Sequence, residues 1–350
     1  MKKKYDVAVF IGRFQPFHNG HLSVVLKAKE IADTVLIIIG SVDKPRTYKN
    51  PFSFDERKEM IEKSLRYPHG IEVGKDLVIR GNVDTIYNDT AWATRIQEIV
   101  SDTTQSNNVC LIGHKKDDSS YYLDMFPQWH LEEVEAEEYG LSATEIREKY
   151  FSEEGLFSGV KVDDPIPYGV FNFLTKTFDR EAHQQIVKER RFIENYKKQY
   201  EDSPYPPVFV TTDAIVTCCS HILLIRRKSE PGKGLWALPG GFLNANTDAS
   251  LQSACIRELK EETGVKVPIP VLIGSIKGSH CFDAIARSSR GRTITHAYHF
   301  DLKDKTLPKV KGMDDAEKAK WVALSDVCSR EMFEDHYEII NYFTGTPILN

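Results

Sequence analysis

The sequence contains few of the patterns that mark a metal-binding ribbon, a redox pair or a membrane span. Its 350 residues include six cysteines, none in a Cys-x-x-Cys pair, which argues against a zinc ribbon, a redox dithiol or a secreted disulfide scaffold. No apolar run approaches the roughly 18 residues of a membrane helix, and the run at residues 7–11 is too short for a secretory signal. We therefore expect a cytoplasmic protein without a membrane partner.

The chain also lacks a surplus of positive charge. It has 46 Lys and Arg against 51 Asp and Glu, a net charge of −5, which gives no electrostatic footprint for duplex nucleic acid. Local basic clusters can still bind phosphate, so phosphate ligands stay open, and a homo-oligomer is compatible with the composition. With 41% hydrophobic and 28% charged residues, the composition is that of a folded globular protein, and the length suggests two domains.

The first half of the sequence alternates apolar runs with helical patterns. We predict strands at residues 7–12, 35–40, 109–113 and 131–134, and helices at 22–32 and 53–66. Ser53 and Glu56 have the spacing of a capping box at the start of the second helix. Because strand–helix–strand alternation indicates a parallel α/β sheet, residues 1–202 are predicted to form an α/β parallel-sheet domain that ends in a charged helical segment at 179–201.

The second half follows the segment Ser-Pro-Tyr-Pro-Pro at 203–207, whose prolines cannot continue a helix. We place the interdomain linker there and a second domain at 208–350. In this domain we predict strands at residues 208–217, 222–227, 271–276, 293–302 and 320–324, and helices at 248–263 and 331–342. Strands outnumber helices, which indicates an α+β domain.

A glycine- and histidine-containing segment lies where the first predicted strand meets the first helix. It runs Gly-Arg-Phe-Gln-Pro-Phe-His-Asn-Gly-His from Gly12 to His21, at the kind of strand end and helix start where phosphates bind. His18 and His21 can face one way in the opening turn and stabilise charge on a phosphoryl group, while Gly12 and Gly20 allow close backbone approach. The alternative is that both histidines are capping or core groups. A P-loop and a GxGxxG motif are absent, so kinase and dehydrogenase functions are less favoured.

This segment resembles the signature of the nucleotidyltransferase superfamily. Residues 50–57, Asn-Pro-Phe-Ser-Phe-Asp-Glu-Arg, are similar to those of nicotinamide mononucleotide (NMN) adenylyltransferases of the archaeal type, and residues 142–147, Ser-Ala-Thr-Glu-Ile-Arg, resemble their second phosphate motif. Trp92 lies where that family places a tryptophan on the nicotinamide ring, although a core role is equally open. Ser142 and Glu145 also have capping-box spacing, which is compatible with a phosphate role.

The resemblance implies a Rossmann-like nucleotidyltransferase fold and direct attack of the mononucleotide phosphate on the α-phosphorus of ATP, with magnesium on the ATP oxygens. His18 and His21 would be the catalytic groups. The residues implied at the ATP phosphates are Gly12, Arg13, Phe14, Gly20, Ser142, Thr144 and Arg147, and those implied at NMN are Lys49, Asn50 and Trp92. Lys49 stands where archaeal members tend to have Arg. His114, Lys115 and Lys116 form a second basic cluster, which is either a weaker candidate or a solvated face.

Three glutamates share one face of the predicted helix at 248–263. Glu258, Glu261 and Glu262 stand at i, i+3 and i+4, and carboxylates in this arrangement repel one another unless a cation such as Mg²⁺ or Mn²⁺ lies among them. Arg257 can orient one of them through a charge-assisted hydrogen bond. The alternative is an exposed acidic face balanced by lysines.

The string from Gly241 to Val265 is similar to the Nudix box, Gly-x5-Glu-x7-Arg-Glu-Leu-x-Glu-Glu-x-Gly. The resemblance implies a Nudix hydrolase domain, with Glu258, Glu261 and Glu262 at the metal and Glu261 and Glu262 as catalytic residues. Downstream of the box, Glu317 can bring a further carboxylate to the site and is the candidate general base. Substrate contacts are implied for Arg226, Gly240, Gly241 and Arg257. Arg257 follows Gly241 by 16 positions, two more than in the box, and Ala249 replaces the first box glutamate, with Asp248 beside it as a substitute.

Together the two resemblances match bifunctional NMN adenylyltransferase/Nudix hydrolase proteins. The first half is expected to make NAD and pyrophosphate from ATP and NMN, and the second to hydrolyse ADP-ribose to AMP and ribose 5-phosphate with Mg²⁺ or Mn²⁺. Two alternatives stay open. Ala249 could mark a Nudix half that senses ADP-ribose or NAD without hydrolysis, and the adenylyl acceptor could be nicotinate mononucleotide.

Overall fold

A computed structural model describes residues 3–74, 77–114, 118–134, 142–152, 166–312 and 316–345. The chain divides into two compact units, Met1–Lys188 and Glu189–Asn350. This division lies upstream of the linker expected at 203–207, and that linker stays a prediction. No helix in the described ranges combines the length and the apolar character needed to cross a membrane.

The first unit contains a five-stranded parallel sheet in the order β3-β2-β1-β4-β5. Its strands are β1 (Tyr5–Gly12), β2 (Ala32–Ile39), β3 (Leu77–Gly81), β4 (Val109–Gly113) and β5 (His130–Glu133). The helices are α1 (Asn19–Ile31), α2 (Phe54–Arg66), α3 (Asp89–Thr103), α4 (Ala143–Tyr150), α5 (Tyr168–Asn172) and α6 (Arg180–Lys198), which crosses into the second unit. The parallel α/β fold predicted from the alternating pattern is confirmed.

The central strands are apolar on both faces because helices cover both sides of the sheet. On one face, Phe10, Ile37 and Ile39 pack against α1 and α2, and on the other Val9 and Ile38 pack against α3. Parallel strands end at one edge, so the loops after β1, β2 and β3 meet there. This edge contains the segment from Gly12 to His21.

The second unit contains a mixed seven-stranded sheet with the main order β10-β11-β6-β7-β12. Its strands are β6 (Val208–Cys218), β7 (His221–Arg227), β8 (Trp236–Ala237), β9 (Gly240–Phe242), β10 (Ile276–Phe282), β11 (Arg292–Leu302) and β12 (Ala316–Ala323). Its helices are α7 (Leu251–Thr263), α8 (Ile269–Gly274) and α9 (His336–Thr344). The predicted α+β class is confirmed.

Two neighbouring strands of this sheet diverge and make room for the segment that contains the paired glycines. β6 and β7 pair only near their shared turn, where Thr217 is opposite Ile222 and Cys218 is opposite His221. Beyond that point β8 pairs with β7 and β9 pairs with β6. The intervening residues Leu238 and Pro239 therefore lie between two strands of the sheet, next to α7.

Several predicted elements differ from the structure: α1 begins at Asn19 rather than at 22, and β12 spans Ala316–Ala323 rather than 320–324. The strand predicted at 271–276 is wrong, because residues 269–274 form helix α8 with Pro268 as N-cap and Pro270 in its first turn, positions where proline favours a helix. Helix α7 begins at Leu251 rather than at 248, since Ser250 is its N-cap. The last helix spans His336–Thr344 rather than 331–342, and residues 329–331 form a short 3-10 turn.

Candidate active sites

The structure brings His18 and His21 together at the start of α1. Their ring centroids are 3.6 Å apart, and the His18 N–H donates to His21 Nδ1 at 3.2 Å. In the neutral imidazole this acceptor role leaves the His21 proton on Nε2. His18 is the N-cap residue of α1, so both rings stand at the positive end of the helix dipole. The pair can therefore stabilise a phosphoryl oxygen.

The glycines of this segment make room for its own aromatic rings. A Cβ at Gly12 would lie 2.8 Å from the Phe14 ring, and one at Gly20 would lie 3.2 Å from the His18 ring. Phe14 has a φ of 51°, unusual for a bulky residue, and its ring contacts Phe10 and His21 in the core. Because only 1% of Phe14 is exposed, any contact it makes with ATP comes from its backbone.

Arg57 connects the two loops that follow β1 and β2 at this edge of the sheet. Its guanidinium donates to the Arg13 and Gly40 carbonyls at 2.7 Å each and to the Ser41 carbonyl at 3.2 Å, and Nε donates to the Ser53 carbonyl at 3.1 Å. Only 1% of the residue is exposed. Burial lowers the pKa of Arg57 to about 10, so it is cationic at neutral pH. It was not predicted as a site residue.

The second phosphate motif reaches the first through Arg147. Ser142 caps α4, where its N–H donates to Glu145 at 2.6 Å and its hydroxyl accepts from the Glu145 N–H at 3.3 Å. Arg147 donates to the Gln15 carbonyl at 2.6 Å and to the Thr144 hydroxyl at 3.2 Å. Burial and then the nearby Arg13 lower the pKa of Arg147. Its Nε is buried and has no hydrogen-bond partner within the described part of the chain.

The residues implied at NMN lie on one helix and one loop. Trp92 is in the first turn of α3, half-buried, with its ring centroid 6.0 Å from that of Tyr122 and 6.1 Å from that of Phe126. Lys49 is exposed in the loop between β2 and α2, and the Asn50 N–H donates to the Thr47 hydroxyl at 3.2 Å. These positions are compatible with a core role for Trp92 and with a ligand role, so its function stays a prediction.

The structure describes only one residue, His114, of the second basic cluster at 114–116. His114 follows β4, and its Nδ1 lies 2.5 Å from the Val134 carbonyl oxygen. Lys115 and Lys116 lie outside the described residues.

In the second unit, the paired glycines contact the glutamates of α7 directly. The Gly240 N–H donates to Glu262 Oε2 at 2.8 Å. A Cβ at Gly241 would lie 2.6 Å from the Glu258 carboxylate. Burial raises the pKa of Glu262 to about 8 and also raises that of Glu258. These two glutamates and the glycines therefore form one compact site.

Arg257 lies among the carboxylates. One of them is Asp248, which the sequence suggested as a substitute for the glutamate missing at Ala249. Asp248 binds the Arg257 guanidinium with two bonds, at 2.9 and 2.8 Å, and this pair lowers the pKa of Asp248 to about 2. The same guanidinium donates to Glu258 at 3.0 Å and to Glu261 at 2.8 Å. Asp248 thus orients Arg257 rather than adding a carboxylate to the metal candidates.

The charge of this site, more than its present geometry, fits a divalent cation. In the ranges that the structure covers, no three His, Cys, Asp or Glu side chains converge as a metal cage, so Glu258, Glu261 and Glu262 are not a preassembled cluster. However, Glu262 is buried and Glu258 half-buried, and burial raises the pKa of both carboxyl groups, an effect that a bound divalent cation would offset. Carboxylate oxygens are the donors that Mg²⁺ and Mn²⁺ prefer.

The remaining Nudix candidates, Arg226 and Glu317, lie on the neighbouring strands β7 and β12. Arg226 Nε donates to the Gly234 carbonyl at 3.0 Å and lies 4.0 Å from a Glu317 carboxylate oxygen. Glu317 is exposed, at an irregularity in the pairing of β12 with β7. Its role as a general base stays a prediction.

Family models match both halves of the chain: a cytidylyltransferase-like model at residues 9–149 and a NUDIX domain model at residues 208–343. The nicotinamide/nicotinic acid mononucleotide adenylyltransferase of Acinetobacter baylyi is 36% identical over 189 residues, which are 54% of this chain and 95% of that protein. The ADP-ribose pyrophosphatase of Methanocaldococcus jannaschii is 32% identical over 168 residues, 48% of this chain and 88% of that protein.

Two solved structures described below are similar over both halves of the chain. The bifunctional NMN adenylyltransferase/ADP ribose pyrophosphatase of Francisella tularensis is 39% identical, with a TM-score of 0.90, and the match covers 97% of this chain and 99% of that one. A second Francisella structure of the same description, complexed with AMP and an Mn ion, is 38% identical with a TM-score of 0.88 over the same shares. The chain therefore belongs to the family of bifunctional NMN adenylyltransferase/ADP-ribose pyrophosphatases.

Proposed function

We propose that the first domain transfers the adenylyl group of ATP to NMN, giving NAD and pyrophosphate, and that the second hydrolyses ADP-ribose to AMP and ribose 5-phosphate. The observation that carries this proposal is the presence of two separate phosphate-type sites in a chain similar over 97% of its length to a bifunctional relative. The domain limits that accompany it are 1–202, a linker at 203–207, and 208–350.

In the first site, positioning and charge neutralisation carry the reaction. The NMN phosphate attacks the α-phosphorus of ATP, and pyrophosphate leaves. The paired rings of His18 and His21 donate to phosphoryl oxygens as negative charge grows on them. Arg13 and Arg147 hold the phosphates, and the second arginine is already fixed against the loop by its bond to the Gln15 carbonyl.

In the second site, Glu258, Glu261 and Glu262 would hold Mg²⁺ or Mn²⁺, which would activate a water molecule and neutralise charge on the diphosphate. The chain's own residues keep these carboxylates in place. Gly240 donates to Glu262, and Arg257, oriented by Asp248, binds Glu258 and Glu261. The sensor hypothesis was motivated by Ala249. Because Asp248 holds Arg257 against Glu258 and Glu261 without the first box glutamate, we favour hydrolysis.

The acceptor is proposed to be NMN, although the A. baylyi relative is named for both the nicotinamide and the nicotinic acid mononucleotide. A cytoplasmic location, small-molecule nucleotides as partners without nucleic acid or membrane, and assembly into a homo-oligomer are proposals of the same kind.

The purified chain with Mg²⁺ tests each half. Incubation with ATP and either NMN or nicotinate mononucleotide, followed by chromatography, should give the dinucleotide and pyrophosphate, faster with NMN. Failure with both acceptors would contradict the first half of the proposal. Incubation with ADP-ribose should give AMP and ribose 5-phosphate in equal amounts. Calorimetric binding of ADP-ribose without turnover would support the sensor instead.

A further inference from the structure

A buried histidine contacts the segment that presents Gly240 and Gly241. His336, the first residue of α9, accepts a hydrogen bond at Nδ1 from the Leu238 N–H at 2.9 Å. Only 6% of the residue is exposed. Neither the Nudix resemblance nor the sequence pattern indicates this residue, because it lies 98 positions from its partner.

The other nitrogen of this imidazole faces a buried acid. His336 Nε2 lies 4.0 Å from Asp213 Oδ1 on β6, and Asp213 Oδ2 accepts from the Thr295 hydroxyl on β11 at 2.5 Å. Burial lowers the pKa of His336, so the ring is neutral. With Nδ1 as acceptor, the proton stands on Nε2. The tautomer that the Leu238 contact needs is therefore the one that the acid favours.

Two further contacts hold the next two residues of the same segment, Pro239 and Gly240. The Pro239 carbonyl accepts from the Ala214 N–H at 2.8 Å, and the Gly240 N–H donates to Glu262 at 2.8 Å. A Cβ at Gly240 would lie 2.2 Å from the Thr212 carbonyl oxygen, so the backbone is closely packed against β6. A shift at Leu238 would consequently displace the N–H that orients Glu262.

The histidine is itself held in place. Its neighbour Asp335, the N-cap residue of α9, forms a bidentate ion pair with Arg287 at 2.8 and 2.9 Å. Both side chains are almost completely buried. Such pairs fix geometry when each partner is satisfied, so His336 approaches Leu238 from a rigid support.

We propose that His336 is a positioning residue of the second site: through the Leu238 N–H it fixes the Gly240–Gly241 backbone and hence the Glu262 carboxylate. It touches neither substrate nor metal. The inference rests on the hydrolysis proposed for this domain, and concerns which side chain outside the Nudix box keeps that site in order.

Three variants test whether the hydrogen-bond acceptor of His336 matters, rather than the size of its side chain. In His336→Asn, the side-chain oxygen can take the place of Nδ1. His336→Gln places its amide near the Nε2 position instead, and His336→Leu has no acceptor. Amide hydrogen exchange of residues 236–242 reports the backbone directly, and ADP-ribose hydrolysis reports its consequence. NAD formation by the first domain is an internal control in the same tube.

We expect His336→Asn to keep wild-type amide protection and hydrolysis within about threefold. His336→Gln and His336→Leu should exchange faster at Leu238 and Gly240 and lose about tenfold or more in kcat, as for other residues that orient ligands, with NAD formation unchanged. Wild-type protection in His336→Gln would overturn the inference, and so would equal losses in the Asn and Leu variants at equal melting temperature. If His336→Leu does not fold, the Asn and Gln pair decides. If wild-type protein does not hydrolyse ADP-ribose, the proposed function fails, and amide exchange still tests the positioning role.

Discussion

Replacing Arg57 by Met should disconnect the loops of the first site while leaving the second domain intact. The Arg57 guanidinium binds four backbone carbonyls, those of Arg13, Gly40, Ser41 and Ser53. Met keeps much of the side-chain length and apolar contact but donates no hydrogen bond. The Arg13, Gly40 and Ser41 carbonyls would then lose the Arg57 donor, whereas the Ser53 carbonyl keeps its helix hydrogen bond from the backbone N–H of residue 57.

The expected loss of stability follows from these contacts. A hydrogen bond to a charged group contributes about 1.5–3 kcal/mol, but bonds from one guanidinium are coupled and do not add. We therefore expect the free energy of unfolding of the first domain to fall by roughly 3–5 kcal/mol, about the value of two such bonds rather than four. For a domain of this size, each 1 kcal/mol corresponds to about 2–4 °C, so its melting transition should fall by roughly 10 °C.

The assay follows both domains in one sample. Calorimetry resolves the transition of each domain, since a two-domain chain need not unfold in a single step, and NAD formation is measured well below the lower transition. Arg66→Met, at an exposed position of the same helix, is the matched control and should change neither quantity. We expect NAD formation to fall at least tenfold in Arg57→Met while ADP-ribose hydrolysis stays at the wild-type rate. If Arg57→Met keeps both the wild-type melting transition of the first domain and the wild-type rate of NAD formation, the reasoning is refuted.

Three further predictions concern the second domain. Gly240→Ala should abolish ADP-ribose hydrolysis and spare NAD formation, because its Cβ would lie 2.2 Å from the Thr212 carbonyl oxygen; measurable hydrolysis near the wild-type rate would show that β6 yields at this point. Asp248→Ala should lower kcat/KM for ADP-ribose about tenfold, since Arg257 loses its bidentate partner, whereas Ala249→Glu alone should change it little; the reverse order would contradict the role given to Asp248. Burial raises the pKa of Glu262 from 4.5 to about 8, so the folded domain binds more protons than the unfolded chain between these pH values, and metal-free stability should fall as pH rises from about 4.5 to 8. Thermal unfolding in chelator should show this slope, and Glu262→Gln should reduce it; an unchanged slope in the variant would assign it to other groups.

Contacts between near neighbours could be predicted from the sequence. Ser53 and Ser142 cap their helices as the spacing predicted, and the three-residue spacing of His18 and His21 does bring their rings together. Such features depend on one turn of helix. The error at 271–276 was also local, because a run rich in apolar residues resembles a buried strand unless the prolines at its start are given more weight.

Contacts that depend on the folded chain could not be predicted in this way. Arg57 looked like one charged residue on an amphipathic helix, and its acceptors lie up to 44 positions away. His336 lies in a helix with no motif. Asp248 could be suggested as a substitute for Ala249, but the longer loop hid which group it would bind. The structure shows that group to be Arg257.

The central claim is that two chemically distinct sites act independently in one chain. The most direct test measures NAD formation and ADP-ribose hydrolysis side by side in wild type, His21→Asn and Glu262→Gln. We predict that His21→Asn loses NAD formation by at least a hundredfold and hydrolyses ADP-ribose at the wild-type rate, and that Glu262→Gln shows the opposite pattern. Loss of both activities in either folded variant would contradict the claim.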